Sequence, residues 1–145
     1  MTARRGSVRH DIQLSCTPET VWALVGDPAR VHEWFTGIVS CTVEGDLRTV
    51  VTRSGLPMPE RLLTVDPVLR RIQYRITAPM FTEHLGTLDV HTLADGTSLV
   101  VYSTDAEPAP LALVIGGAAR ASLANLPAAL GLVGAAEGHD PKGAR

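Results

Sequence analysis

Twenty-four consecutive residues near the C-terminus, Leu111 to Gly134 (LALVIGGAARASLANLPAALGLVG), carry a single charge, Arg120. A helix with so little polar surface has to be covered by a membrane, by a partner or by a sheet of its own chain. Spanning a bilayer takes about 20 apolar residues, and this run is long enough. However, Arg120, Ser122, Asn125 and Pro127 fall in its middle and Gly116-Gly117 weakens it, so no membrane span is expected. Ile115, Ala119, Leu123, Leu126 and Leu130 recur at helical spacing. That stripe predicts one long helix lying on the covered face of a sheet.

The strands to supply that sheet come earlier in the chain. Ser7 to Cys16 alternates, with Val8, His10, Ile12 and Leu14 on one side and Arg9, Asp11 and Gln13 on the other, as a half-buried strand does. Thr17-Pro18-Glu19 has helix-start chemistry, and Val21, Trp22, Leu24 and Val25 give a short helix its apolar side. Gly26-Asp27-Pro28 ends it, and Ala29 to Phe35 makes one or two further turns. Six strands follow: Ile38–Val43, Leu47–Arg53, Glu60–Val65, Arg71–Thr77, Thr82–Thr92 and Thr97–Thr104. Ser54 to Pro59, with Gly55, Pro57 and Pro59, reads as a loop. Ile72, Tyr74 and Ile76 share one face of their strand and Arg71, Gln73, Arg75 and Thr77 the other, so one side of the sheet is covered and one is wet. The simplest architecture is α+β, an antiparallel sheet with the last helix packed along it and two short helices between the first and second strands.

At 145 residues the chain reads as one domain. That domain is expected to cover 7–134, with flexible ends at 1–6 and 135–145. A net charge of −2 gives no basic surface for nucleic acid. No secretory core follows Arg4-Arg5, so a cytoplasmic location is expected. Cys16 and Cys41 lack metal or redox spacing and read as two buried free thiols. His10, His32, His84, His91 and His139 are scattered, so no metal or cofactor is expected. There is no phosphate loop and no GxSxG elbow.

Val21-Trp22-Ala23-Leu24-Val25, Asp27-Pro28 and Glu33-Trp34-Phe35 resemble the opening signature of the START-like, helix-grip (SRPBCC) superfamily. Within it, the chain looks most like the branch of polyketide cyclase/dehydrase and lipid transport proteins. Gly45-Asp46-Leu47-Arg48-Thr49-Val50, Glu60-Arg61-Leu62-Leu63 with Asp66, Arg70 to Ile76, Asp95-Gly96-Thr97 and Leu123-Ala124-Asn125-Leu126 continue the resemblance in order. It implies a curved seven-stranded antiparallel sheet gripping the C-terminal helix around an internal apolar cavity. Two departures are the proline-rich Gly55–Pro59 segment and Pro127, whose mid-helix position is expected to kink the helix near the cavity mouth.

Polar and aromatic residues aimed inward by strand parity are the candidates for lining such a cavity. These are Tyr74 with Ile72 and Ile76, His84 with Leu88 and Val90, and Tyr102 with Val100 and Thr104. Trp34 joins them from the short helices, and Ile115, Ala119 and Leu123 from the last helix. Trp22 reads as core, and Arg53, Glu60 and Asp105 as solvent-face or strand-end charges. No residue is singled out as catalytic. The leading expectation is binding or transport of a small hydrophobic, lipid- or polyketide-like molecule. The alternatives are an aromatase/cyclase or dehydratase using His84 or a tyrosine, and an interaction protein docking through its last helix as a homodimer.

Overall fold

The computed structural model describes residues 4–133. Strand β1, Gly6–Leu14, alternates in burial residue by residue. The Thr17 side chain then caps helix α1, Pro18–Val25, by accepting from the Thr20 N–H at 3.4 Å, with Pro18 in the first turn where no N–H is needed. This helix buries Pro18, Val21, Leu24 and Val25. Asp27 caps a short 3-10 helix, Pro28–Glu33, by accepting from the Ala29 N–H at 3.0 Å.

Six more strands follow: β2 (Ile38–Glu44), β3 (Leu47–Thr52), β4 (Pro57–Asp66), β5 (Arg71–Ile76), β6 (Glu83–Thr92) and β7 (Ser98–Glu107). Helix α2, Ala109–Ala129, closes the fold. All neighbouring strands are antiparallel, in the order β1-β7-β6-β5-β4-β3-β2. The α+β, seven-stranded curved sheet gripping a C-terminal helix is therefore the architecture of the chain. Of the ends expected to be flexible, 1–3 and 135–145 lie outside the described residues, whereas Gly6 already belongs to β1.

The Ser54–Pro59 loop expectation is corrected, because β4 starts at Pro57. Pro57 and Pro59 pair with Val51 and Thr49 of β3. On that side the Leu56 carbonyl accepts from the Thr52 N–H at 3.0 Å. The Pro59 carbonyl faces the other way and accepts from Thr77 at 3.1 Å, one residue past the end of β5. Both proline nitrogens thus lie on the side where β5 is running out, so the strand loses little of its ladder.

Helix α2 buries Ala112, Gly116, Ala119, Leu123 and Leu126 along one stripe and packs on β1 and β7. The approach is close: a Cβ on Gly116 would stand 2.4 Å from the Cγ2 of Val8. Length and composition would let this helix cross a membrane. Ser122 and Asn125 have partners within the fold instead, and Arg120 is exposed. Ser122 Oγ accepts from the Thr36 N–H at 3.0 Å, and the Asn125 amide donates to the Trp34 carbonyl at 3.1 Å. Pro127 lies in the last turn, roughly 13 Å along the axis from Ala118 at 1.5 Å per residue, and the helix runs through it. Cys16 and Cys41 are free and half-buried, the latter with its thiol 3.1 Å from the Ala29 carbonyl.

Candidate functional site

Because α2 covers β1 and β7, at one edge of the sheet, the inner faces of β3, β4 and β5 curve round without α2 against them. The space left between is a cavity of about 260 Å³. Strands β3 and β4 contribute Arg48, Val50, Met58 and Glu60, strand β5 contributes Tyr74 and Ile76, and β7 contributes Tyr102. Val31 and Phe35 close one end, and α2 adds Ile115 and Ala118. Arg48, Val50, Glu60, Tyr74, Ile76 and Tyr102 are buried, so they form the floor. Exposed Thr36 and Gly37, with half-buried Thr52, Met58, Ile115 and Ala118, form the rim.

The floor is mostly apolar, with one polar cluster. Arg48 Nε donates to Glu60 Oε1 at 2.7 Å and Nη1 to the Pro28 carbonyl at 3.2 Å. Both side chains are nearly inaccessible, at 4% and 6%. The guanidinium also lies 5.0 Å from the ring centre of Tyr74. The Tyr74 and Tyr102 hydroxyls share a hydrogen bond. Burial raises Glu60 above the ordinary carboxylate value, against the downward pull of Arg48. Burial likewise raises the Tyr74 phenol well above its usual range and pushes Tyr102 up to about 12. Both tyrosines are therefore neutral hydrogen-bonding groups at physiological pH.

Residues 5–131 match the family described as polyketide cyclase / dehydrase and lipid transport. The chain belongs to that family. No curated protein matches it. Among solved structures, XoxI from Bacillus cereus is similar at 23% identity and a TM-score of 0.81, over 93% of this chain and 99% of that one. An uncharacterised Bacillus thuringiensis protein reaches 24% and 0.79, over 86% and 98%. The di-domain ARO/CYC BexL of the BE-7585A biosynthetic pathway reaches 22% and 0.73, over 88% of this chain and 47% of that one. At these identities the likeness speaks for the fold.

Within the family fold, Tyr74, Tyr102 and Ile115 line the cavity, as strand and helix spacing predicts. Trp34 does not. It is 4% exposed and turned into the core beside Val25, Val31 and Leu88, while its neighbour Phe35 takes the cavity wall. Consecutive residues leaving the 3-10 helix point to different sides. The Trp34 ring still lies 5.9 Å from Phe35 and 6.1 Å from Tyr102, centre to centre. Trp22, expected as core, is half-buried and packs against it. Ala119 and Leu123 face β1 and β7, with Ile115 and Ala118 on the flank that meets the hollow.

His84 is also outside the cavity. It is buried beside Tyr74 and Phe81, at ring-centre distances of 5.5 and 5.2 Å, and its Nδ1 accepts the Ile76 N–H at 2.9 Å. It borders a second hollow of about 440 Å³ at the end of the sheet. Arg75, Thr77, Thr82 and Glu83 on that hollow's wall are exposed and charged or polar, so the smaller, mainly apolar cavity under the helix is the better site.

The expectation for Glu60 is corrected outright, since it is buried at 5% exposure and paired with Arg48. Arg53 is exposed and Asp105 half-buried, 3.9 Å from Arg5. The Arg48–Glu60 pair has a sequence signal. Arg48 shares parity with Val50, and Glu60 shares parity with Met58 and Leu62. Reading the latter requires starting the strand at Pro57. Among the described residues, no three His, Cys, Asp or Glu side chains gather as metal ligands.

Proposed function

We propose that this protein binds a small hydrophobic molecule in the cavity between the sheet and α2, as a carrier or sensor. The supporting observation is the hollow itself, about 260 Å³ walled mainly by apolar side chains on packed strands and α2, with a few polar atoms on its floor. Burial of apolar ligand surface at about 25 cal/mol per Å² supplies the affinity, and the polar cluster orients the ligand. A panel of lipid- and polyketide-like compounds tests it. A binder raises the melting temperature in step with its concentration. It also changes tryptophan emission, because Trp34 packs on the wall residues Phe35 and Tyr102. No stabilisation and no emission change across the panel would overturn the proposal.

A second reading, acid–base catalysis on a polyketide-like chain, draws on the paired Tyr74 and Tyr102 hydroxyls and the Glu60 carboxyl, raised by burial, in the same cavity. His84, outside that cavity, has no part in it. Turnover of a bound chain that disappears in Tyr74→Phe while binding persists would establish it. Binding with no product would leave the carrier reading alone.

A further inference from the structure

The ligand's polar end can be inferred from the hydrogen-bond inventory of the buried ion pair, given the cavity-binding reading above. Arg48 donates from Nε to Glu60 and from Nη1 to the Pro28 carbonyl, while its Nη2 has no partner among the described residues. Glu60 accepts from Arg48 at Oε1 only, so Oε2 is also unused. Among the described residues, the side-chain polar atoms buried without a partner are Trp34 Nε1, His84 Nε2 and Thr104 Oγ1, and neither Nη2 nor Oε2 is one of them. Nη2 and Oε2 thus keep some accessible surface, and because both residues line the cavity, a ligand there can reach them. The N–H groups of Nη2 thus remain as donors and Oε2 as an acceptor on the same ion pair.

The charges of the pair already cancel. Tyr74, Tyr102 and Cys41 are the other titratable groups close to it, and none of them adds a cation. A carboxylate placed on Nη2 would put a second anion next to Glu60 with one guanidinium to serve both, in a site poor in water. A neutral head carrying an acceptor beside a donor, as a primary amide does, satisfies Nη2 and Oε2 together without adding charge. At about 30 Å³ per water-sized group, the cavity holds roughly nine non-hydrogen atoms.

We propose that the cavity selects small ligands with a neutral head group that both accepts and donates a hydrogen bond, and discriminates against the corresponding carboxylates. Heptanamide, heptanoate and methyl hexanoate, which have equal numbers of non-hydrogen atoms, test this by calorimetric titration at mildly alkaline pH. Heptanamide is expected to bind roughly tenfold or more tighter than either of the others. Glu60→Gln leaves Arg48 as an unanswered cation, so the order inverts and heptanoate becomes the tightest of the three. Should that variant not fold, Arg48→Met/Glu60→Leu removes the donor and the acceptor together, and heptanamide loses its advantage over methyl hexanoate. Heptanoate binding the unaltered protein as tightly as heptanamide overturns the inference. Equal binding of all three does so too, while leaving the apolar-cavity reading intact. Binding of none overturns both.

Discussion

Arg48 and Glu60 face each other across β3 and β4 in register, and that pairing is what allows two charges to stand on an apolar floor. Removing one partner leaves the other buried and unanswered. Glu60→Leu alone is therefore expected to cost about 3–5 kcal/mol of stability, whereas Arg48→Met/Glu60→Leu should come within about 1 kcal/mol of the unaltered protein. Urea denaturation of the three proteins measures both values, and a double variant as unstable as the single would refute the pairing. His84 makes a different kind of contribution. Burial first, then the Arg75 charge, lowers its pKa from 6.5 to about 4 against an upward pull from Asp105. Between those values the unfolded chain binds more protons than the folded one, so stability falls as pH falls. This contribution is whole above pH 6.5 and gone below about 4, and that shift is worth at most roughly 3 kcal/mol. In His84→Asn, whose Oδ1 can still accept from Ile76, the pH profile of stability should flatten across that window. Tyr74 and Tyr102 were legible at this scale because aromatic residues on an apolar strand face point inward. Arg48 and Glu60 were less so: parity puts them on the face of Val50 and Met58, but a charge on an inward face is discounted until its cross-strand partner is known.

Helix α2 and strand β1 meet through a glycine. Gly116 on α2 admits Val8 to a distance no side chain would tolerate. Gly116→Ala gains about 1 kcal/mol of helix propensity but drives a methyl into a stiff β-branched neighbour, for a net loss of about 1–2 kcal/mol. Val8→Ala in the same chain should recover part of that loss. A purely additive double variant, read by thermal denaturation, would mean that the two residues do not touch in solution. The helix itself was plain from its apolar spacing, and the strands from their alternation. The start of β4 was hidden because Pro57 and Pro59 are strand-breakers by composition. Their nitrogens happen to face the side where β5 is ending, a fact of three-dimensional register. Ala119 and Leu123 show the same limit. Helical spacing identifies an apolar stripe, but not which part of it meets β1 and β7 and which flank meets empty space.

For the molecule as a whole, the decisive relation is between a helix laid over one edge of a sheet and strands that curve away beneath it. Strand order β1-β7-β6-β5-β4-β3-β2 puts α2 over β1 and β7, while Phe35 and the 3-10 helix close the far end, leaving a space that the chain's own side chains do not fill. Ala118, half-buried on the cavity flank of α2, is where that space can be closed without disturbing the stripe that faces the sheet. Titrating a cavity-sized binder into the unaltered protein and into Ala118→Phe tests directly whether the hollow is the binding site. Saturable binding to the first, and loss of most of that affinity in a variant that still folds, is the predicted result. Undiminished affinity in folded Ala118→Phe would place the ligand elsewhere and contradict the cavity as the site of function.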